Sequence, residues 1–143
     1  MYAALGAGGR RIGDAHAPAD TTRPYAVLYP LYVGGRDGPD SDWQADGWYE
    51  YQVTSVGDTR MQAEGLADEL RVRLLASTLT VNGFATGPIN LSDDVGVERD
   101  DDVQPPIYYT IQMYSIFATP DVTAYTRSVT EPVGVTDSVT TVP

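Results

Sequence analysis

The stretch Trp48–Ser77, WYEYQVTSVGDTRMQAEGLADELRVRLLAS, decides the fold. From Trp48 to Val56 the residues Tyr49, Tyr51 and Val53 alternate with Glu50, Gln52 and Thr54, the period of two that a half-buried strand requires. Gly57 and Asp58 stop that strand. Thr59, with Gln62 three residues on, forms a capping box whose side chains satisfy backbone donors left over at a helix start. Ala63, Leu66, Ala67, Leu70 and Leu74 then recur at spacings of three and four, which stacks them on one stripe, while Glu64, Asp68, Glu69, Arg71 and Arg73 fall largely outside it. Such a stripe has to lie on a sheet.

Working outward toward the N-terminus, Pro24 to Val33 (PYAVLYPLYV) is rich in β-branched and aromatic residues and predicts a strand with Tyr25, Val27, Tyr29, Leu31 and Val33 on one side. Pro30 has no N–H to give a ladder, so this strand is at an edge or its second half is unpaired on that side. Gly34 to Gly47 (GGRDGPDSDWQADG) is dense in turn formers and reads as a long loop, across which the two strands pair antiparallel. Asp37, Asp40 and Asp42 suggest a calcium loop, but Trp48 stands where its bidentate Glu belongs, and a solvated turn is the simpler reading. Met1 to Arg23 shows no sustained period and reads as loop. Its Gly6, Gly8 and Gly9 do not make a phosphate cradle, because no strand precedes them, Arg11 replaces the third glycine and no helix follows.

Toward the C-terminus, Thr78 to Asn90 reads as a connection and Ile89 to Val97 as a short strand. The carboxylates Asp93, Asp94, Glu98, Asp100, Asp101 and Asp102 are numerous enough for a metal or acid-base site, yet they lie among turn residues with no histidine nearby. A solvated hairpin tip is expected for them. Ile107 to Ala118 (IYYTIQMYSIFA) is the most strand-like run and predicts a central strand, with Ile107, Tyr109, Ile111, Met113 and Phe117 on one face and Tyr108, Thr110, Gln112 and Tyr114 on the other. Beyond Pro120 the Val- and Thr-rich sequence offers little to build a core and reads as an extended arm. The expected architecture is α+β: a small antiparallel or mixed sheet of about four strands packed by one main helix, with a long loop and an extended C-terminal arm. Residues 1–23 form an N-terminal extension or loop, 24–120 the domain and 121–143 the arm.

Composition narrows the function classes. At 143 residues the chain suits one domain with a core of its own. Without cysteine it has no disulfide framework, thiolate zinc site or cysteine nucleophile. All nine basic residues are Arg, against 20 Asp and Glu, and the net charge of −11 repels duplex DNA and anionic membranes on average. No run approaches the roughly 20 apolar residues of a membrane span, and the N-terminus lacks the apolar segment of a signal peptide, so a soluble protein made in the cytoplasm is expected. His16 is the sole histidine, there is no lysine, and no Gly-x-Ser-x-Gly elbow occurs. No nucleophile and base can be paired, and neither an enzyme nor a cofactor is expected. Ten tyrosines remain, more than a core alone needs, and interfacial packing is what such amphipathic rings do well.

The order of elements resembles the tail terminator (tail completion) proteins of long-tailed bacteriophages. The resemblance covers roughly Arg23 to Pro120 and is carried by the Tyr-rich strand, the polar cap, the helix start Thr59-Arg60-Met61-Gln62-Ala63-Glu64-Gly65-Leu66-Ala67 and the late strand Ile107 to Phe117. It implies a virion structural protein of the neck: a homo-oligomeric, hexameric ring at the head-proximal end of the tail tube, which ends tube growth and meets the head connector or head-closure protein, with no catalytic residues and DNA passing through unbound. The chain departs from the family at both ends, lacking its usual helix before the first strand and carrying a longer arm. Tyr29, Tyr32, Arg36, Trp43, Trp48 and Tyr125 are the candidate contacts with other subunits or partners, and Asp93, Asp94, Glu98, Asp100, Asp101 and Asp102 the acidic lining of the channel or its rim. Other readings are another neck component, such as a head-closure or adaptor protein, and a small carboxylate-dependent metal-binding or hydrolytic domain.

Overall fold

The structure, a computed structural model, describes residues 10–19, 22–31, 34–37 and 46–121, with the backbone alone for 34–37. Six strands and one helix follow in the order β1 (Ile12–Asp14), β2 (Tyr25–Pro30), β3 (Gly34–Asp37), β4 (Asp46–Gly57), α1 (Arg60–Leu75), β5 (Phe84–Asp100) and β6 (Ile107–Pro120). They form one sheet in the spatial order β1-β2-β4-β6-β5, with β3 paired to β4 off that path. Every pairing is antiparallel except β1 with β2. The class is the expected α+β, and β6 is interior, flanked by β4 and β5.

α1 begins where the capping box places it. Thr59 is the N-cap and its hydroxyl accepts from the Gln62 N–H at 3.3 Å, while the Gln62 side-chain oxygen reaches back to the N–H of Asp58 at 2.8 Å. Ala63, Leu66, Ala67, Leu70 and Leu74, the whole predicted stripe, are buried. Leu66, Leu70 and Leu74 meet Ile12, Ala26, Leu28, Val53, Ile89, Tyr114 and Ile116 in one core. Gly57 makes the strand-to-helix junction possible, since a Cβ there would sit 2.7 Å from Gln62 Cβ and 2.8 Å from the Ala63 nitrogen. Arg10 is paired with Glu69, which also holds Arg73 at 2.7 Å, and Arg23 meets Asp58 at 2.5 Å, so the segment before β2 is tied to the body of the helix and to the residue just before its N-cap. The hydrogen bond from Arg10 holds the Glu69 carboxyl below the usual carboxylate range.

Four expectations change. Ile12–Asp14, read as loop, is a strand parallel to β2, with Ile12 opposite Ala26 and Asp14 opposite Leu28; three residues are too few to show a period. The register with β1 stops at Leu28, so Pro30 lies past its end, which is the second of the two ways Pro30 can be accommodated. Gly34–Asp37, read as part of a long loop, pairs with Asp46–Trp48 of β4. The connection after the helix is shorter than expected, because β5 begins at Phe84 and runs to Asp100, and Asp93, Asp94, Glu98 and Asp100 therefore lie on a strand, with only Asp101 and Asp102 in the turn to β6. Register shifts at Thr86/Ile89, Leu91/Asp93 and Val95/Glu98 break the alternation that would have announced this strand. Asp40 and Asp42 of the calcium reading, and residues 122–143 of the arm, lie outside the described residues.

Candidate functional site

Strand partners share a face, and the registers of β2, β4, β6 and β5 stack side chains in rows. On the face turned from α1 these rows are Tyr25, Val56, Tyr109 and Glu98; Val27, Thr54, Ile111 and Val95; Tyr29, Gln52, Met113 and Asp93; the polar row Glu50, Ser115 and Asn90; and, at the far end, Trp48 beside Phe117. Val27 and Val56 are buried, Tyr25, Tyr29, Tyr109, Ile111, Met113 and Phe117 are half-buried, and Trp48 is 44% exposed. The Trp48 and Phe117 rings lie tilted at 57° with centroids 5.3 Å apart. Among the described elements α1 is the only helix, and it packs on the opposite face. Among the described residues no element covers this band of tyrosine, tryptophan, methionine and β-branched side chains, which is bordered by the carboxylates of β5. Tyr109 donates to Glu98 at 2.6 Å, and that carboxylate pushes the phenol above its usual range.

On the helix side a chain of hydrogen bonds runs from core to surface. The Tyr114 hydroxyl donates to Gln112 Oε1 at 2.9 Å, Gln112 Nε2 donates to Asp94 Oδ2 at 3.1 Å, and Asp94 is held by Arg71 at 3.2 Å, which also meets Asp68 at 2.6 Å. This explains why a tyrosine and a glutamine can be fully buried in β6, each polar atom having a partner. Burial pushes the Tyr114 phenol well up, with the Asp94 charge adding to the effect. Glu64, Asp68 and Asp94 line a polar groove above Thr110 and Gln112. Two of the three carboxylates are already paired with Arg71 and the third with Arg60. Among the described residues no three His, Asp or Glu side chains are grouped to hold a metal ion.

Beyond the C-terminal end of α1, where the helix no longer covers the sheet, lies an apolar cavity of about 130 Å³. Tyr49 and Tyr51 of β4, Ile116 and Ala118 of β6, Phe84 and Thr86 of β5, and Leu79 and Val81 of the connection line it. The Thr86 hydroxyl donates to the Leu79 carbonyl at 2.5 Å and the Phe84 N–H to the Val81 carbonyl at 3.1 Å, which fixes the connection as the outer wall. Burial, and secondarily Tyr49, raises the Tyr51 phenol.

Of the candidate contact residues, Tyr29 and Trp48 lie on the uncovered face and Arg36 stands in β3 opposite Gly47, while Tyr32, Trp43 and Tyr125 lie outside the described residues. The acidic residues do not form one patch. Asp93, Glu98 and Asp100 pair with Met113, Tyr109 and Ile107 of the uncovered face, Asp94 pairs with Gln112 on the helix side, and Asp101 is bonded to Arg99 at 2.7 Å. Sequence reasoning did not single out Tyr25, Ile111, Met113 and Phe117 as surface, although their strict alternation carried the signal: both faces of β6 are apolar, and one helix can cover only one of them.

No family model matches the chain, and no curated protein does. No helix of the described residues is long and apolar enough to cross a membrane. The fold is similar to that of a chain in the structure of the virion of a native gene transfer agent (GTA) particle, with a TM-score of 0.62 and 14% identity over 80% of this chain and 83% of that one.

Proposed function

We propose that this chain is a virion structural subunit that assembles into a ring, six copies in the closed form, at the head-proximal end of a phage tail tube, ending tube growth and joining the tail to the head connector. The observation that carries the reading is the uncovered aromatic face of the sheet, in a chain whose fold is similar to a component of a gene transfer agent virion. A half-buried aromatic face with Trp48 exposed at its end suits a partner, and a second copy related by ring symmetry supplies one at every position. The work of such a ring is mechanical and needs no cofactor. The net charge of −11 suits a channel that DNA slides through without sticking, with the acidic edge of β5 and its turn at the channel or its rim.

Imaging virions that carry a label on this protein tests the reading. One labelled ring per particle, at the junction between tail and head, is the expected result. Label on the head side of the junction would favour a head-closure or adaptor protein, and no label on purified particles would overturn a virion role.

A further inference from the structure

The connection from α1 to β5 turns at Asn82 and Gly83, between Val81 and Phe84 of the cavity wall. The Phe84 N–H closes this turn on the Val81 carbonyl at 3.1 Å, and the Gly83 carbonyl accepts from the Asp121 N–H at 2.9 Å. The peptide between Asn82 and Gly83 is held by neither bond. Among the described residues its carbonyl, its N–H and the exposed Asn82 side chain have no hydrogen-bond partner. Gly83 has a φ of +80° and open space where a Cβ would stand. This one peptide can therefore rotate without breaking a hydrogen bond or striking a neighbour. Asn90, the other asparagine of the chain, is exposed as well, but it stands in the ladder opposite Ser115, its Nδ2 donates to the Pro88 carbonyl at 3.2 Å, and the branched Leu91 follows it.

We infer that Asn82 is a site of spontaneous covalent modification, in which its side-chain amide is displaced by the Gly83 nitrogen and the outer wall of the apolar cavity is remodelled. Rotation of the free peptide carries the Gly83 nitrogen to Asn82 Cγ, and glycine offers no side chain to block the approach. The nitrogen gives up its proton and bonds to Cγ, while the bond from Cγ to the amide nitrogen breaks and that nitrogen leaves with the proton as ammonia. Water then opens the cyclic imide at either carbonyl. The products are an aspartate in the ordinary linkage and an aspartate joined to Gly83 through its side-chain carboxyl. Both place a new carboxylate beside Val81 on a chain already at −11. The second also inserts a methylene into the main chain of a two-residue turn, and the hydrogen bond from Phe84 to Val81 spans that insertion.

Ageing the purified full-length protein in mildly alkaline buffer, with trypsin digestion and mass spectrometry at intervals, tests this directly. Cleavage after Arg73 and Arg99 leaves both asparagines in the single peptide Leu74–Arg99, whose fragment ions assign each loss of amide. Asn82 should convert at least about tenfold faster than Asn90, because only glycine leaves its nitrogen unhindered. The rate at Asn82 in the folded protein should also lie within about tenfold of the rate in urea, as befits a segment that moves at little cost. In the aged sample hydrogen exchange at the Phe84 amide should quicken in proportion to the side-chain-linked product, and Asn82→Gln, one methylene too long to close the same ring, should abolish both changes. Equal rates at Asn82 and Asn90 overturn the inference, as does a folded rate at Asn82 suppressed beyond that range, since the fold then holds the peptide. Conversion with Phe84 exchange unaltered overturns the remodelling of the wall.

Discussion

Gly57 and Gly65 respond to an added methyl group in opposite ways. At Gly57 the methyl meets the backbone of Ala63 and the Cβ of Gln62, neither of which can yield without moving the helix start, so Gly57→Ala should cost about 1–3 kcal/mol. At Gly65, exposed in the middle of α1 with open space around it, alanine should add roughly 1 kcal/mol through helix propensity. Denaturant midpoints at constant slope measure both. The buried pair in β6 gives a second residue-scale prediction. Gln112→Met leaves the Tyr114 hydroxyl without its acceptor and should cost about 1–3 kcal/mol, and adding Tyr114→Phe should recover part of that, because removing both partners is cheaper than orphaning one. The same tyrosine sets a pH dependence. Its folded pKa lies above the ordinary phenol value of 10.0, so its contribution is intact below about pH 10 and is lost as pH rises toward the folded value. Tyr114→Phe should therefore flatten the fall of stability on the alkaline side.

At the scale of elements, what could be read from the sequence depended on unbroken periods. β4, α1 and β6 each carry one, with a glycine, a cap or prolines at the boundary, and the helix stripe is buried residue for residue as its spacing demands. β5 could not be read in the same way, because three register shifts and a string of carboxylates hide a long strand. Those same features protect it: it is the outer strand beside β6, and bulges and charge discourage pairing with stray chains. β1 was too short to detect, and its parallel pairing depends on a crossover that no local pattern announces. The acidic end of β5 is also where a channel role is testable. Replacing Asp100, Asp101 and Asp102 by Asn should leave the melting temperature and ring formation nearly unchanged while making the ring adhere to DNA at low salt, as gel shift would show. If instead calcium raises the melting temperature of the unaltered protein and the substitutions abolish that rise, the carboxylates hold a cation and do not serve a channel.

For the whole molecule, the decisive feature is asymmetry between the two faces of one sheet. The alternation in β6 was plain in the sequence, but which half of it the helix would take was not. The face with Ile107, Ile111, Met113 and Phe117 is the more apolar by residue type, yet Thr110, Gln112, Tyr114, Ile116 and Ala118 are the ones buried. The choice follows from β4, whose Tyr51 and Val53 pair with Tyr114 and Gln112 and meet the leucines of α1. What remains outside is a surface suited to another copy. The measurement that bears most directly on this account is the native mass of the purified protein, alone and with tail tubes, by light scattering. The account predicts a closed multimer of six copies, in at least one of the two conditions, that Trp48→Ala combined with Met113→Ser disperses without unfolding the subunit. A monomer under both conditions, at every concentration reached, would contradict it.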